Sequence, residues 1–179
     1  MKTINNIKII GVDAGYGNMK TANFCFRTGL TAYDAEPLFT KNMLVYEGYY
    51  YLIGEGHKTY TAEKTLDEDY YILTLAAIAM ELNREHLTVA DVYLSAGLPL
   101  SWVLEQKDAY LAYLLKKQEV DFLFKGEQYK IRIVGADILP QGYAAIADKL
   151  DDLKGMTLLC DIGNGTMNLM YLRDGDAIP

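Results

Sequence analysis

Two short turns rich in aspartate and glycine, one near each end of the chain, constrain the fold more than any other feature. The first is Asp13-Ala14-Gly15-Tyr16-Gly17-Asn18, and the second is Asp161-Ile162-Gly163-Asn164-Gly165-Thr166. Each turn lies between two apolar runs, which is typical of a β-hairpin. Two glycines let backbone N–H groups approach an anion, and an aspartate at the strand end can hold a hydrated Mg²⁺. Two such turns in one chain suggest a phosphate clamp.

The pattern between the two turns predicts an α/β protein. Strands are expected at residues 7–12, 19–26, 43–46, 49–53, 91–98, 120–124, 128–134, 156–160 and 167–172, and helices at residues 67–83, 101–117 and 143–150. Thr65 and Glu68 have the spacing of a capping box, and the helix that follows them is apolar around most of its circumference, which predicts burial. Residues 54–64, with His57, are expected to form an exposed loop. Strands interleaved with helices imply a mixed sheet covered by helices.

Composition and charge exclude several classes of protein. The formal charge of -7 and the pI near 4.8 argue against direct nucleic-acid binding, which needs Lys and Arg to neutralise phosphates. The N-terminus has no apolar signal region, and the longest apolar stretch, residues 72–80, is far short of the ~20 residues that span a bilayer. Cys25 and Cys160 both lie in predicted strands, so we expect buried free thiols in a reducing compartment. The sequence predicts a soluble cytoplasmic protein.

Two familiar phosphate-binding motifs do not fit the first turn. The segment from Gly15 to Lys20 lacks the third glycine of a dinucleotide fingerprint, and it leads into a predicted strand where that fingerprint requires a helix. A P-loop requires glycine directly before Lys-Ser/Thr, whereas Met19 precedes Lys20 and Thr21. Neither a Rossmann site nor a P-loop is therefore expected.

The order of the remaining motifs is Asp-x-Gly-x-Gly, a long α/β stretch, Pro-Gln-Gly and Asp-x-Gly-x-Gly-Thr. This order resembles the actin-like ATPase superfamily, and more closely its plasmid-segregation branch, the ParM/StbA proteins. Residues 11–20 resemble the first phosphate motif of that family, and residues 160–166 resemble the second. Residues 139–145 are similar to its connecting helix, and residues 96–100 to a strand end common in ParM-type members.

The resemblance implies a ribonuclease-H-like (actin-like ATPase) domain with a mixed sheet flanked by helices. Residues 1–150 would form this N-terminal domain with its connecting helix, and residues 156–179 would begin a second such domain. A full-length member would hold Mg-ATP, or Mg-GTP, between its two domains. The second connecting helix and the adenine site of the family lie downstream of residue 179, so we expect this chain to be a fragment.

The resemblance also implies roles for individual residues. Asp13 and Asp161 would organise Mg²⁺ and its waters, Gln141 would orient the attacking water, and Asp161 would accept the proton. The phosphates would contact the Thr166 hydroxyl, Lys20, and the backbone N–H groups of Gly15, Tyr16, Gly17, Asn18, Gly163, Asn164 and Gly165.

The implied function is that of a filament-forming ATPase that polymerises with ATP and moves plasmid DNA through a separate DNA-binding adaptor. The fragment alone is expected to be inactive, because charged phosphates held from one side in water gain little energy. Two alternatives stay open. One is a small-molecule kinase of the same superfamily, for which Asp137 is the only acidic residue close before the connecting helix. The other is a non-enzymatic truncated actin-like domain that regulates filaments.

Overall fold

The computed structural model describes residues 1–38, 41–56, 63–146, 149–163 and 167–178. These residues form thirteen strands, two α-helices and two short 3₁₀ helices. The strands are β1 (Lys2–Ile4), β2 (Ile7–Ala14), β3 (Asn18–Lys20), β4 (Cys25–Arg27), β5 (Leu30–Tyr33), β6 (Met43–Tyr46), β7 (Tyr49–Ile53), β8 (Val89–Leu98), β9 (Glu119–Phe124), β10 (Glu127–Pro140), β11 (Met156–Ile162), β12 (Met167–Arg173) and β13 (Asp176–Ile178). The α-helices are α1 (Asp69–Asn83) and α2 (Leu100–Leu114), and the 3₁₀ helices are Tyr143–Ile146 and Leu150–Asp152.

Ten of these strands form one mixed sheet. Its order is β4-β3-β2-β8-β10-β9-β6-β7-β5, and β1 pairs with β2. The three central strands β2, β8 and β10 are parallel, and Leu94 of β8 lies in register with Ile10 on one side and Ala136 on the other. The remaining pairs are antiparallel. The carboxyl ends of the parallel strands meet at one edge, where open α/β sheets bind ligands.

The hydrophobic core lies between this sheet and the two helices. Helix α1 packs against β2, and α2 packs against β10 and β8. The predicted burial of α1 is confirmed, since 12 of its 15 residues are buried and an all-round apolar helix requires such a position. In β2 the buried residues are Ile10, Val12 and Ala14, and Asp13 lies between two of them on the opposite face. This alternation places the core on one face of the sheet and Asp13 on the other.

The strand expected at residues 19–26 is broken in two by a turn. The Thr21 N–H donates to the Phe24 carbonyl (2.8 Å), and the Phe24 N–H donates to Thr21 Oγ1 (3.0 Å). Glu81 of α1 is buried and accepts hydrogen bonds from the backbone N–H and side-chain amide of Asn23, at 3.0 and 2.8 Å. A buried carboxylate needs hydrogen-bond donors. The turn at Asn23 supplies two of them to Glu81, and the predicted strand is interrupted at this point.

The start of α1 also differs from the prediction. The Thr65 hydroxyl donates to Glu63, the Glu68 carboxylate pairs with Lys116, and no side chain caps the helix at Glu68. The predicted capping box is therefore wrong. Strands β1, β5 and β13 were not predicted from the sequence. The helix expected at residues 143–150 gives way to the two 3₁₀ helices, and Ala147 and Asp148 lie outside the described residues.

The second hairpin belongs to a separate three-stranded antiparallel sheet, β11-β12-β13, as the sequence predicted for a new sheet. Its inner face contains the buried side chains of Met170 and Leu172. Its outer face is exposed and largely apolar, with Arg173 opposite Met156, and its apolar residues are Met156, Leu158, Cys160, Ile162, Met167, Leu169 and Tyr171. Within the described ranges, no helix is both long enough and apolar enough to cross a membrane.

Both cysteines are free thiols, but the prediction that they are buried is wrong. Cys160 lies in register with Leu169 on the outer face of the three-stranded sheet, and Cys25 lies in β4 at the edge of the large sheet. Strand position alone does not bury a side chain, because a strand has two faces and an edge strand has a free side.

Candidate functional site

A cleft of about 470 Å³ lies at the carboxyl ends of β2, β8 and β10. Its walls are formed by Gly11, Val12, Asp13, Lys20, Thr21, Ala22, Ser95, Ala96, Gly97, Pro140, Gln141, Gly142 and Asp161. The volume falls in the range of small-molecule sites. The cleft brings together four of the candidate residues, Asp13, Lys20, Gln141 and Asp161, from the two ends of the chain.

Asp13 lies at the centre of the polar contacts in this cleft. Its Oδ1 accepts a hydrogen bond from Gln141 Nε2 at 2.8 Å, and its Oδ2 accepts one from Lys20 Nζ at 3.0 Å. Asp13 and Lys20 are opposite each other in the β2–β3 ladder, which explains why they pair. The hydrogen bond to Asp13 raises the pKa of Lys20, and the nearby charge of Asp161 raises it further. Two carboxylates therefore make this part of the cleft attractive to a cation.

The position of Gln141 depends on a glycine in the neighbouring strand. The Gln141 N–H donates to the Leu98 carbonyl at 2.7 Å, so the residue continues the pairing of β10 with β8. A Cβ atom at Gly97 would lie 2.9 Å from Gln141 Cγ and 3.6 Å from Asp13 Oδ1. Any side chain at residue 97 would therefore push Gln141 away from Asp13.

A second glycine lets the two hairpins meet. Gly142 has a φ of +82°, and a Cβ atom there would lie 2.8 Å from the Asp161 Cβ. Asn168 of β12 links the same region, since its amide donates to Asp161 Oδ2 at 3.4 Å and its Oδ1 accepts from the Leu100 N–H at 3.3 Å. Asp161 is thus held beside the connecting segment and the start of α2.

The first turn is a tight loop whose carbonyl groups are bound by Thr28. A Cβ atom at Gly15 would lie 2.7 Å from the Asn18 carbonyl oxygen, so the turn requires glycine there. The buried Thr28 donates its hydroxyl to the Gly15 carbonyl (2.6 Å) and its N–H to the Gly17 carbonyl (3.0 Å). The sequence carried no signal for Thr28, which follows β4 and reaches back over 13 residues.

The other candidate residues differ in where they lie. Gly15, Tyr16, Gly17 and Asn18 form the turn that follows the Asp13 strand, and they are not among the residues that line the cleft. Gly163 is exposed directly after β11. Asn164, Gly165 and Thr166 lie outside the described residues, as does His57.

Sequence reasoning missed Lys64, which lies beneath the first turn. Only 4% of this lysine is exposed, so the prediction that it lies in an exposed loop is wrong. Its Nζ donates to the carbonyl oxygens of Ala14 (2.6 Å) and Gly97 (3.3 Å), and it lies over the rings of Tyr70 and Tyr110. Burial lowers the pKa of Lys64 to about 8, and the charge of Asp13 acts in the opposite direction. Its neighbours Glu63 and Thr65 are polar, so no apolar pattern revealed its burial.

The donor atoms of the cleft fit Mg²⁺ better than a metal that needs many protein ligands. Within the described part of the chain, no three His, Cys, Asp or Glu residues come close enough to hold a metal by themselves. Asp13 and Asp161 instead supply two carboxylates beside open space. Mg²⁺ typically keeps several waters and binds one or two carboxylates together with substrate phosphates.

Asp137, the only acidic residue close before the predicted connecting helix, lies in β10 in register with Ser95. One of its carboxylate oxygens is buried and has no hydrogen-bond partner among the described residues. The residue is not part of the cleft wall. Its position therefore does not favour the kinase alternative.

The site and the fold together place the chain in a family. A family model described as "Actin like proteins N terminal domain" matches residues 11–143, from the start of the first phosphate motif to just past Gln141. The chain belongs to this family. No curated protein matches the sequence significantly.

Solved structures agree with this fold. The apo pSK41 ParM protein has a TM-score of 0.76 and 16% identity, and the match covers 97% of this chain and 64% of that one. An AlfA filament bound to AMPPNP has a TM-score of 0.71 and 17% identity, over 96% of this chain and 67% of that one. Ta0583, an archaeal actin homolog in complex with ADP, has a TM-score of 0.72 and 17% identity, over 96% of this chain and 58% of that one.

These likenesses confirm the predicted actin-like fold, and at such identities they show the fold alone. The chain spans 64% of the length of the ParM protein it matches.

Proposed function

We propose that the chain is the N-terminal portion of a bacterial actin-like protein of the plasmid-segregation type, which binds Mg-ATP or Mg-GTP, hydrolyses it and forms filaments. One observation carries the proposal: Asp13, Gln141 and Asp161 converge in one cleft at the carboxyl ends of parallel strands. The AlfA filament with AMPPNP and the Ta0583 complex with ADP support it, because these proteins of the same fold bind adenine nucleotides.

Each residue of the cleft has a role that its chemistry allows. Gln141 is a neutral amide, so it orients the attacking water but is too weak a base to take its proton. Its Nε2 donates to Asp13, which turns the amide oxygen away from that carboxylate and makes it available to a water. Asp161 is the carboxylate that accepts the proton. Bound Mg²⁺ would offset the negative charge of the phosphates, and Asp13 and Asp161 would hold its waters.

The phosphates are bound by the two turns in this proposal. The backbone N–H groups of Gly15, Tyr16, Gly17 and Asn18 act from the first turn, and those of Gly163, Asn164 and Gly165 act from the second with the Thr166 hydroxyl. Lys20 adds a positive charge at the cleft, where Asp13 holds it. Both turns are needed, because phosphates gripped by one turn stay in contact with bulk water.

The proposal extends to assembly and cargo. Filament structures of AlfA, from a Bacillus subtilis plasmid, and of Alp12 support self-association of a protein with this fold. The net charge of -7 supports a separate DNA-binding adaptor, because an acidic protein repels DNA phosphates.

The test is nucleotide turnover by the protein that carries this chain. We expect Mg-dependent ATP or GTP hydrolysis and nucleotide-dependent sedimentation. Gln141→Ala should lower kcat by about 100-fold or more while nucleotide binding is retained, since it removes only the orientation of water. Gln128→Ala, on β10 far from the cleft, is the matched control and should hydrolyse normally. Absence of both hydrolysis and sedimentation would overturn the proposal, and hydrolysis that requires an added sugar or acid would favour a kinase.

A further inference from the structure

Strands β2 and β8 separate just below the first turn. Their parallel ladder ends at the pair Val12 and Ala96, after which Asp13 and Ala14 pair with β3 instead. Strand β8 continues through Gly97 beside β10. At the level of the cleft, the ladder therefore no longer joins β2, which bears Asp13, to β8, whose Gly97 leaves room for Gln141.

Lys64 joins these strands at this level. Its ammonium group donates to the Ala14 carbonyl on β2 at 2.6 Å and to the Gly97 carbonyl on β8 at 3.3 Å. Ala14 directly follows Asp13, and Gly97 is the residue whose missing side chain leaves room for Gln141. A single side chain thus contacts the backbone at both points that set the distance between Asp13 and Gln141.

The surroundings of Lys64 keep its ammonium group in this place. The ring centres of Tyr70 in α1 and Tyr110 in α2 lie 5.4 and 5.6 Å from Nζ, and both rings are buried. Lysine is almost never fully buried without partners, because removing its charge from water is costly. Carbonyl dipoles and aromatic faces offset that cost. The group is therefore bound by two strands and two helices together.

We infer that Lys64 is a positioning residue that holds the first phosphate turn against the carboxyl end of β8, so that Asp13 and Gln141 meet in the cleft. Lys64 lies below the turn and acts through the backbone, whereas Lys20 faces the cleft and pairs with the Asp13 carboxylate. The effect on nucleotide binding rests on the proposed function. The effect on the turn itself does not.

The experiment is made on the protein that carries this chain and compares Lys64→Met with Lys107→Met, since Lys107 is a lysine on the exposed face of α2. Methionine keeps the length and apolar stem of Lys64 and removes its charge and donors. Hydrogen–deuterium exchange is measured on peptides that cover the first turn, residues 13–20, and the core strand, residues 89–96. Binding of Mg-ATP is measured on the same proteins.

In Lys64→Met, amides of the first turn should exchange about tenfold faster or more, as expected when charged hydrogen bonds are lost, while the core peptide stays unchanged. The Kd for Mg-ATP should rise by about the same factor, and Lys107→Met should match the wild type. Lys64→Gln, which keeps amide donors without the charge, should give an intermediate result, and it replaces Lys64→Met if that variant fails to fold.

Equal acceleration of exchange in both peptides would overturn the inference, because it would mean that Lys64 contributes only to global stability. Unchanged exchange in the first turn would overturn it as well. If the wild-type protein binds no Mg-ATP or Mg-GTP, the proposed function fails, and the exchange measurement alone still decides the role of Lys64.

Discussion

The ten-stranded sheet and the three-stranded sheet differ in what covers their apolar side chains. In the large sheet, Leu94 is 1% exposed beneath the helices, whereas Leu169 in the small sheet is 44% exposed and Ile162 is 77% exposed. Both sheets have strands with apolar side chains in alternation. The difference shows that alternating apolar side chains indicate a strand, but a face of the strand is buried only where a second layer of secondary structure packs on it. In the small sheet only the inner face, with Met170 and Leu172, is buried among the described residues.

The two hairpins that carry the aspartates differ in the same way. The first is bound from several directions, by Thr28 on the Gly15 and Gly17 carbonyls and by Lys64 on the Ala14 carbonyl. At the second, the described contacts of Asp161 come from Asn168 and from its close approach to Gly142. Asp13 is therefore fixed by a complete core, whereas the position of Asp161 depends on a few local contacts.

The largest expected effect compares one leucine from each sheet. Leu94→Ala should lower the free energy of unfolding by about 2–5 kcal/mol, because it leaves a cavity in a close-packed core. Leu169→Ala should change it by about 0.5 kcal/mol or less, because that side chain is already in water to a large extent. Urea denaturation followed by circular dichroism gives both values. Equal losses would show that the outer face of the small sheet is covered in solution.

The next effect tests the contact between the connecting segment and the second hairpin. Gly142→Ala should lower stability by about 2–3 kcal/mol, because alanine is strained at a φ of +82° and its Cβ would collide with Asp161. Gly126→Ala has the same strain, at a φ of +84°, but no atom lies within 4 Å of its Cβ, so it should cost about 1 kcal/mol. Thermal unfolding of both variants separates strain from collision. If the two variants lose equal stability, Asp161 is not held against Gly142.

A smaller effect concerns a buried phenol. Tyr110 Oη is buried and has no hydrogen-bond partner among the described residues, so Tyr110→Phe should keep or raise stability at pH 7, by up to about 1 kcal/mol. Tyr171→Phe, on the exposed face of the small sheet, is the matched control and should be neutral. A loss of more than 1 kcal/mol in Tyr110→Phe would show that the hydroxyl has a partner.

The same variant has a pH signature. Burial raises the pKa of Tyr71, Tyr110 and Tyr113 above the usual value near 10. These tyrosines therefore lose their protons at a lower pH in the unfolded chain than in the folded chain. Their contribution to the free energy of unfolding is complete below pH 10 and is lost as the pH rises above 10. The pKa of Lys64, lowered to about 8, has the opposite effect. It raises the free energy of unfolding as the pH rises from about 8 to the pKa of the unfolded lysine, near 10.5. Denaturation at pH 7, 9 and 11 should show a shallower alkaline loss in Tyr110→Phe than in the wild type.

The smallest effect on stability comes from the thiols. Cys25→Ser and Cys160→Ser should each change the free energy of unfolding by about 0.5 kcal/mol or less, because both side chains are exposed. In the wild type, both thiols should react rapidly with a thiol reagent under native conditions. Protection of Cys160 alone would mean that another surface covers the outer face of the small sheet.

Local signals predicted much of this molecule. The turn after Asp13, the buried helix α1, the pairing of β11 with β12 and the hairpin at β6 and β7 follow from glycine placement and apolar periodicity, which act over a few residues. The order of the motifs, together with the resemblance it supports, led to the actin-like fold. The errors occurred where distant residues intervene, as when Glu81 of α1 splits the strand expected at residues 19–26.

By itself, the sequence determined most of the strands, the first glycine turn and the residue types available for phosphate and Mg²⁺ chemistry, because backbone preference and side-chain chemistry are local properties. Only the tertiary structure decided that Asp13 and Gln141, 128 residues apart, share a hydrogen bond, and that Gly97 and Gly142 leave the space for their cleft. It also decided that Lys64 is buried and that Cys160 is not. Burial and contact depend on which elements pack together, and that arrangement is a property of the whole fold.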